Sequence, residues 1–302
     1  MTDEFSLLYS HCTLCPRRCG TDRRSTPGMC GESAVLHVAR AALHFWEEPC
    51  LSGESGSGTV FFSGCGLRCL YCQNHSIAHQ NHGKIIGPER LCEIFLELEA
   101  AGAANINLVT AVQFVPHVIH AIDGARKQGL AIPIVYNSGG YENVETLRML
   151  EGYIDIYLPD FKYFDSSLAD RFSHAPNYPK IAEKAIDEML RQTGAPLFHT
   201  NGMMKKGVIV RHLVLPGHTD DSINILRLLN RKYGDSIYIS IMNQYTPCGN
   251  FPDYPELSRK LTTYEYQKVI RFARSIGIRN GYIQSGETAK ESFIPDFDNT
   301  GI

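Results

Sequence analysis

The sequence predicts an α/β fold in which a parallel sheet curves into a partial (β/α)6 barrel, preceded by a small cysteine-rich extension. From residue 59 onward, short runs of β-branched and aromatic residues alternate with amphipathic runs of helical period. The short runs are almost continuously apolar, as strands are when both faces of a parallel sheet are covered. About six such units are too few for a closed eight-stranded barrel, so we expect an open sheet with right-handed crossovers.

The individual elements follow from local patterns. A Gly- and Ser-rich stretch at residues 51–58 is interpreted as a flexible lead-in to the first strand. Helices are recognised by apolar residues three and four apart, as at residues 91–98, and the last helix begins with a capping box from Thr262 to Glu265. The predicted strands are 59–63, 105–109, 132–136, 154–158, 208–215 and 236–241, with a short closing strand near 282–284.

Length and composition bound the class of protein. A chain of 302 residues fits one large domain with a small appendage, and we expect an extension over residues 1–57 and a core domain over residues 58–302. A net charge of -3 without a dense basic patch argues against a nucleic-acid partner. No run is long enough to span a membrane and the acidic N-terminus lacks a signal peptide, so we expect a cytoplasmic protein. In that reducing compartment, ten cysteines favour metal ligation over disulfides.

Three cysteines, Cys65, Cys69 and Cys72, lie on one tight loop directly after the first predicted strand. Active sites of parallel α/β sheets lie at the carboxyl ends of the strands, which is where this loop belongs. Three thiolates can bind three irons of a 4Fe-4S cube and leave the fourth iron open to another ligand. Zinc needs four ligands, and three cysteines within eight residues beside glycines are not typical of core packing. The loop therefore predicts an iron-sulfur cluster with an open iron.

A second group of cysteines lies in the extension, at Cys12, Cys15, Cys19 and Cys30, among prolines and arginines and with little hydrophobic periodicity. Such a segment cannot build a core of its own, but a bound metal could organise it. The Cys12 and Cys15 pair has zinc-like spacing, whereas all four together could equally hold a second iron-sulfur cluster. We expect a second metal site here, with both identities open.

The cluster loop, with an aromatic residue just before its third cysteine, resembles the signature of the radical S-adenosylmethionine (SAM) superfamily, whose open iron chelates SAM. Further motifs follow strands at the spacing found in pyruvate formate-lyase activating enzymes: YNSGGY at 136–141, LPDFK at 158–162 and RHLVLPG at 211–217. With CTLCP at 12–16 and WEEP at 46–49, the chain is similar to the PflX subfamily of these activating enzymes. The resemblance covers nearly the whole chain.

The resemblance implies where SAM would bind. Tyr71 would lie against the adenine, while Asp160, Lys162 and Arg211 would hold the carboxylate and ribose through charge-assisted hydrogen bonds. The full set of implied SAM-binding residues is Tyr71, Asn74, Asn137, Asp160, Lys162 and Arg211.

Two short segments bear on the same site. Activating enzymes carry a Gly-Gly-Glu motif at the end of the second strand, but this chain has LVTAVQ at 108–113, without an acid. Backbone carbonyls or Thr110 would have to take its place. The WEEP segment at 46–49 could bring a carboxylate near the cluster, although exposed glutamates contribute little.

The resemblance further implies an enzyme. An electron from flavodoxin or ferredoxin would reduce the cluster, SAM would be cleaved to methionine and a 5′-deoxyadenosyl radical, and that radical would abstract hydrogen from a substrate. The substrate is open: a polypeptide, in which a glycyl radical is installed, or a small molecule. A third hypothesis is that the protein is a non-catalytic iron-sulfur scaffold. A protein substrate needs an open barrel mouth, whereas a small one is usually enclosed.

Overall fold

The computed structural model describes residues 3–284 and 295–302. Its strands are β1 His37–His44, β2 Ser57–Phe62, β3 Lys84–Ile85, β4 Ile106–Val109, β5 Ile134–Ser138, β6 Ile156–Pro159, β7 Leu197–Phe198, β8 Met204–Leu213, β9 Tyr238–Met242 and β10 Gly281–Ile283. Its helices are α1 Asp3–Ser10, α2 Pro49–Ser52, α3 His75–His79, α4 Pro88–Ala100, α5 Val115–Lys127, α6 Val144–Met149, α7 Ser166–Ser173, α8 Tyr178–Thr193, α9 Thr219–Tyr233 and α10 Thr263–Ser275. None of the helices in these two ranges is long and apolar enough to cross a membrane.

The centre of the fold is a parallel sheet whose strands are ordered β2, β4, β5, β6, β8, β9 and β10. At least one helix lies in every connection between neighbours in this series, as parallel pairing requires. Beyond β2, the strands β1 and β3 continue the sheet with antiparallel pairing. Among the described residues β10 and β3 stand at opposite edges, so the sheet is open. The predicted partial barrel of the α/β class is confirmed, with the short closing strand as its seventh parallel member.

Alternate residues of the strands pack on opposite faces of the sheet. One face packs against the helices in the main core, which includes Tyr136 and Tyr157. The other face carries a smaller apolar cluster that α2 completes with Cys50 and Leu51. That inner cluster also contains Val135, Ile156, Leu158, Met204 and Ile209. The inner face is therefore filled near the amino ends of the strands, where the connection from β1 to β2 runs.

Two features of the N-terminal part differ from expectation. The flexible lead-in predicted at residues 51–58 is wrong, because Leu51 and Ser52 are buried in α2 and Ser57 already opens β2. Strand β1 was not anticipated, since its sequence HVARAALH has few of the β-branched residues that favour strands, and pairing with β2 stabilises it. The division at residue 57 stays a prediction, and β1 and α2, on its N-terminal side, belong to the sheet and its filling.

Candidate active site

The residues predicted for the cluster and for SAM line one cavity at the carboxyl ends of the parallel strands. The cluster loop follows β2, Asn137 lies on β5, and Asp160 and Lys162 directly follow β6, while Arg211 is on β8. The fold thus brings together groups from four strands that are far apart in the chain. The predicted residues that line the cavity are Cys65, Cys69, Tyr71, Cys72, Asn74, Asn137, Asp160, Lys162 and Arg211.

Two long side chains fix the backbone of the cluster loop. Gln113 donates from Nε2 to the carbonyls of Ser63 and Gly64, at 2.7 and 3.0 Å. Arg17, from the N-terminal segment, donates from Nε to the Gly66 carbonyl at 2.7 Å and from Nη2 to the Leu67 carbonyl at 3.3 Å. The same Nη2 reaches a carbonyl at the end of α7 at 2.7 Å. The loop is therefore held from both sides by buried or half-buried polar groups.

The loop turns sharply at a glycine for a steric reason. Gly64 has φ +77°, and a Cβ at this position would lie 2.3 Å from Cγ of Glu32 and 2.8 Å from the Cys30 carbonyl oxygen. A larger residue would have to displace the N-terminal segment. The backbone of the cluster loop therefore packs directly against the backbone of the N-terminal segment.

The donor set of the cluster loop fits an iron-sulfur cluster. Burial raises the pKa of the Cys65, Cys69 and Cys72 thiols, and the nearby Lys162 ammonium partly offsets this. Metal binding replaces the protons of such thiols, and a neighbouring cation stabilises the resulting negative charge. Across residues 3–284 and 295–302, no three or more His, Cys, Asp or Glu side chains stand in a geometry ready for a metal ion. The cysteines share one cavity and one loop, and the ligand would set their final arrangement.

Asp160 and Lys162 form a buried ion pair at the carboxyl end of β6. Lys162 Nζ lies 2.5 Å from Asp160 Oδ2, and less than a quarter of either side chain is exposed. Burial alone would lower the pKa of Lys162, but the Asp160 carboxylate and the Cys69 thiol hold it well above its usual range. The hydroxyl of Tyr178 braces this turn by accepting from the Lys162 N–H at 2.9 Å and donating to the Gly139 carbonyl at 2.8 Å. The lysine is therefore a fixed, charged group.

Arg211 is already paired with two glutamates from the segment between β1 and α2. Its Nη2 lies 2.8 Å from Glu47 Oε2 and its Nε lies 3.5 Å from Glu48 Oε1. Glu47 also accepts from Asn107 Nδ2 of β4 at 3.0 Å. Both glutamate side chains are 6% exposed, so the expectation that they are exposed was wrong, and Glu47 lines the cavity. The burial of these glutamates could have been predicted only from the burial of Leu51, which lies three residues after Glu48.

The backbone is strained at the end of β4. Thr110 has φ 59°, a sparsely populated conformation for a β-branched residue and one that tends to occur at functional sites. Its N–H donates to the Asn137 carbonyl at 2.8 Å, and its own carbonyl accepts from Gln113 Nε2 at 2.8 Å. Thr110 lines the cavity, where the acid of a Gly-Gly-Glu motif is missing. Its substitution for that acid stays a prediction.

The four N-terminal cysteines lie against the cluster loop. Cys12 and Cys30 are buried, and Cys15 and Cys19 are partly exposed. The N–H of Cys65 donates to the Cys30 carbonyl at 3.1 Å, which joins the two cysteine groups directly. Metal binding by these four residues stays a prediction.

Comparison with known proteins gives the family. The model of the Radical SAM superfamily matches residues 59–229, which is more than half of the chain. The chain therefore belongs to the radical SAM superfamily. Membership implies a 4Fe-4S cluster and SAM as cofactors, and reductive cleavage of SAM as the chemistry.

The individual relatives share less than 30% sequence identity with this chain. The chain is 28% identical over 280 residues to Uncharacterized protein MJ0674 of Methanocaldococcus jannaschii, covering 90% of this chain and 76% of that protein. It is 27% identical over 179 residues to the pyruvate formate-lyase-activating enzyme of Clostridium pasteurianum, covering 57% of this chain and 67% of that enzyme.

Among solved structures, Streptococcus suis SuiB bound to S-adenosylmethionine matches with a TM-score of 0.50 and 12% identity. The match covers 74% of this chain, which spans about half (49%) of the length of SuiB. At this identity the likeness shows a shared fold.

Proposed function

We propose that this radical SAM protein abstracts hydrogen from a polypeptide, in the manner of the pyruvate formate-lyase activating enzymes and as a member of the PflX subfamily. The similarity to the Clostridium pasteurianum activating enzyme supports this class of substrate. So do the motifs after β5, β6 and β8, which have the spacing of those enzymes.

The chain's own residues supply the cofactor site. Cys65, Cys69 and Cys72 would hold the cluster, and Tyr71, Asn74, Asn137, Asp160, Lys162 and Arg211, which line the same cavity, would hold SAM. Bound there, the two cofactors would supply a 5′-deoxyadenosyl radical for hydrogen abstraction from the substrate.

The protein's part in this chemistry is positioning and exclusion of water. The buried ion pair of Lys162 with Asp160 keeps a cation aimed at the cavity, where it orients a carboxylate or a ribose oxygen. Tyr71 is 5% exposed and packs edge to face against Tyr163 and Phe172, which closes the wall beside the cluster loop. Such a wall protects a radical from solvent.

The observation that carries the polypeptide assignment is the rim of the cavity. The lining extends from the cluster loop to Trp46, which is 60% exposed and follows Phe45, itself 51% exposed. Adjacent exposed aromatic residues are typical of protein interfaces rather than of enclosed small-molecule pockets. Within residues 3–284 and 295–302 the edge strands β3 and β10 are not paired with each other, and this open sheet supports the choice of a polypeptide.

The experiment begins with anaerobic reconstitution, reduction by dithionite in the presence of SAM, and detection of 5′-deoxyadenosine. Cys69→Ala is the control that removes a cluster ligand, and deoxyadenosine should be lost in it. Macromolecular and low-mass fractions of cells grown in heavy water are then added separately. We expect the macromolecular fraction to increase deoxyadenosine formation and to transfer deuterium to it, and protease treatment to abolish both effects.

The outcomes distinguish the three hypotheses: a polypeptide substrate, a small-molecule substrate and a non-catalytic scaffold. Deuterium transfer from the low-mass fraction alone would replace the polypeptide with a small molecule. A fully loaded, reducible cluster that forms no deoxyadenosine with either fraction would favour the iron-sulfur scaffold. We also propose flavodoxin or ferredoxin as the electron donor, and either reduced protein should replace dithionite in this assay.

A further inference from the structure

Arg23 is a buried positive charge without a carboxylate partner. Its side chain is 0% exposed, and its nitrogens donate to the carbonyls of Glu32, Gln113 and Ser33 at 3.0, 2.7 and 2.6 Å. Its guanidinium carbon lies 4.9 Å from the centre of the Tyr9 ring. No Asp or Glu oxygen among the described residues lies within ion-pair distance of it. Carbonyl dipoles satisfy its hydrogens but leave its net charge uncompensated.

Cysteines surround this guanidinium. Nη1 of Arg23 lies 3.7 Å from the Cys12 sulfur. A Cβ built at Gly28 would lie 3.3 Å from Cδ of Arg23 and 3.5 Å from the Cys19 sulfur, so Arg23 and Cys19 flank the same glycine. Cys30 lies in the turn at residues 28–32, whose Glu32 carbonyl accepts from the Gly28 N–H at 2.9 Å and from Arg23 Nε at 3.0 Å. Thiolates at these positions would lie close enough to the guanidinium to balance its charge.

Three of the four cysteines also share a closed backbone loop. The N–H of Cys12 donates to the Thr21 carbonyl at 3.0 Å, and the Gly20 N–H donates back to the Cys12 carbonyl at 3.1 Å. This pairing closes residues 12–21 into a loop that carries Cys12, Cys15 and Cys19. The Cys19 sulfur lies 4.0 Å from the Cys12 carbonyl oxygen, on the same side of this loop. Four cysteines gathered around one guanidinium supply the donor set of a thiolate metal centre.

We propose that Cys12, Cys15, Cys19 and Cys30 bind a second metal centre through four thiolates, and that Arg23 is its buried counter-ion. Four thiolates around Zn²⁺ or around an iron-sulfur cluster carry a net negative charge, which the guanidinium offsets. The thiols close onto the metal as their protons leave, as thiol sites do when metal binding and folding are coupled. This inference does not depend on the substrate or on SAM turnover.

The second centre would brace the first. Arg17 stands between Cys15 and Cys19 and donates to the Gly66 and Leu67 carbonyls of the cluster loop. A Cβ at Gly66 would lie 3.1 Å from the Cys15 sulfur, so that sulfur packs on the cluster loop. Fixing the N-terminal loop by metal ligation therefore fixes the backbone that presents Cys65, Cys69 and Cys72.

The test measures zinc and iron per chain in anaerobically reconstituted full-length protein, compared with Cys15→Ser. The control is Cys92→Ser, because Cys92 is a free thiol outside the proposed centre, buried in α4 with Gln128 as its hydrogen-bond donor. If the centre is zinc, about one zinc per chain disappears in Cys15→Ser. If it is a second 4Fe-4S cluster, iron falls from about eight to about four per chain. Cys92→Ser should match the wild type in both metals.

Arg23→Met tests the counter-ion. Loss of a group that supports metal ligands lowers metal affinity about 10- to 100-fold. The chelator concentration that removes half of the metal should therefore be lower for this variant than for the wild type. Retention equal to wild type would remove Arg23 from the proposal. About four irons and no zinc per chain in the wild type, unchanged in Cys15→Ser, would overturn the second centre itself.

If neither variant can be purified, labelling of the wild type decides. The partly exposed Cys15 and Cys19 should resist iodoacetamide in the loaded protein and react after chelation. Equal labelling before and after chelation would overturn the proposal.

Discussion

Replacement of Arg211 by methionine tests the buried charge cluster of Arg211, Glu47 and Glu48 in the cavity wall. Arg211 is 13% exposed and is the cation that faces Glu47 and Glu48, at 2.8 and 3.5 Å. Removing one partner of a buried ion pair leaves uncompensated charge, which costs about 3–5 kcal/mol in the free energy of unfolding. We expect a loss of that size at pH 8.

The loss should depend on pH with a definite sign. Burial and the Glu47 charge raise the pKa of Glu48 above its ordinary value of 4.5, while Arg211 lowers it. A carboxyl with a raised pKa binds an extra proton in the native state, so its contribution to stability is present at low pH and is lost as pH rises. Without Arg211 that pKa rises further. The deficit of Arg211→Met relative to wild type should therefore be small near pH 5 and grow toward pH 8.

The assay is equilibrium unfolding in urea, followed anaerobically by circular dichroism at pH 5 and pH 8. The matched control is the triple variant Glu47→Gln, Glu48→Gln, Arg211→Met, in which this cluster carries no charge, and it should recover most of the lost stability. A deficit below about 1 kcal/mol at pH 8, or one equal at both pH values, would refute the charge argument. If the stable triple variant still binds SAM weakly, Arg211 contacts SAM directly as well.

Three further predictions concern the same region. Lys162→Ala should weaken SAM binding at least about tenfold and affect SAM binding more than iron content, since charge-assisted hydrogen bonds to SAM are lost; unchanged affinity in equilibrium dialysis with SAM would show that its assigned role is wrong. Burial raises the pKa of Glu142 from 4.5 to about 8. Its carboxyl should therefore lower wild-type stability by up to roughly 5 kcal/mol as pH rises from about 4.5 to about 8, and Glu142→Gln should flatten that slope in urea unfolding; parallel slopes would contradict the shift. Arg17→Met should reduce cluster loading, because it removes the guanidinium bonds to the cluster loop, whereas Arg18→Met should not, because Arg18 is 53% exposed and pairs with a surface glutamate; equal iron content in the two variants would mean that the loop holds its shape without Arg17.

Most of the fold could be predicted because its signals are local. Each predicted strand overlaps an observed one, since apolar runs and helical periodicity are properties of neighbouring residues. The capping box of the last helix is present, with Thr262 accepting from the Glu265 N–H. Strand β1 escaped prediction because alanine, arginine and histidine form a strand there only through pairing with β2.

The candidate site likewise has residues that the sequence predicts and contacts that only the fold creates. The spacing of Cys65, Cys69 and Cys72 after a strand was sufficient to predict an iron-sulfur loop, because three thiols on one turn have few other uses. Glu47 meets Arg211 across 164 positions of the chain, and Arg17 meets the cluster loop across 49. Such contacts depend on how the sheet curves and on what fills its inner face. By itself the sequence determined the class of fold, the cluster loop and the family resemblance, since each is written in short-range pattern. Only the tertiary structure decided which charges face the cavity, because burial and pairing arise when distant segments pack together.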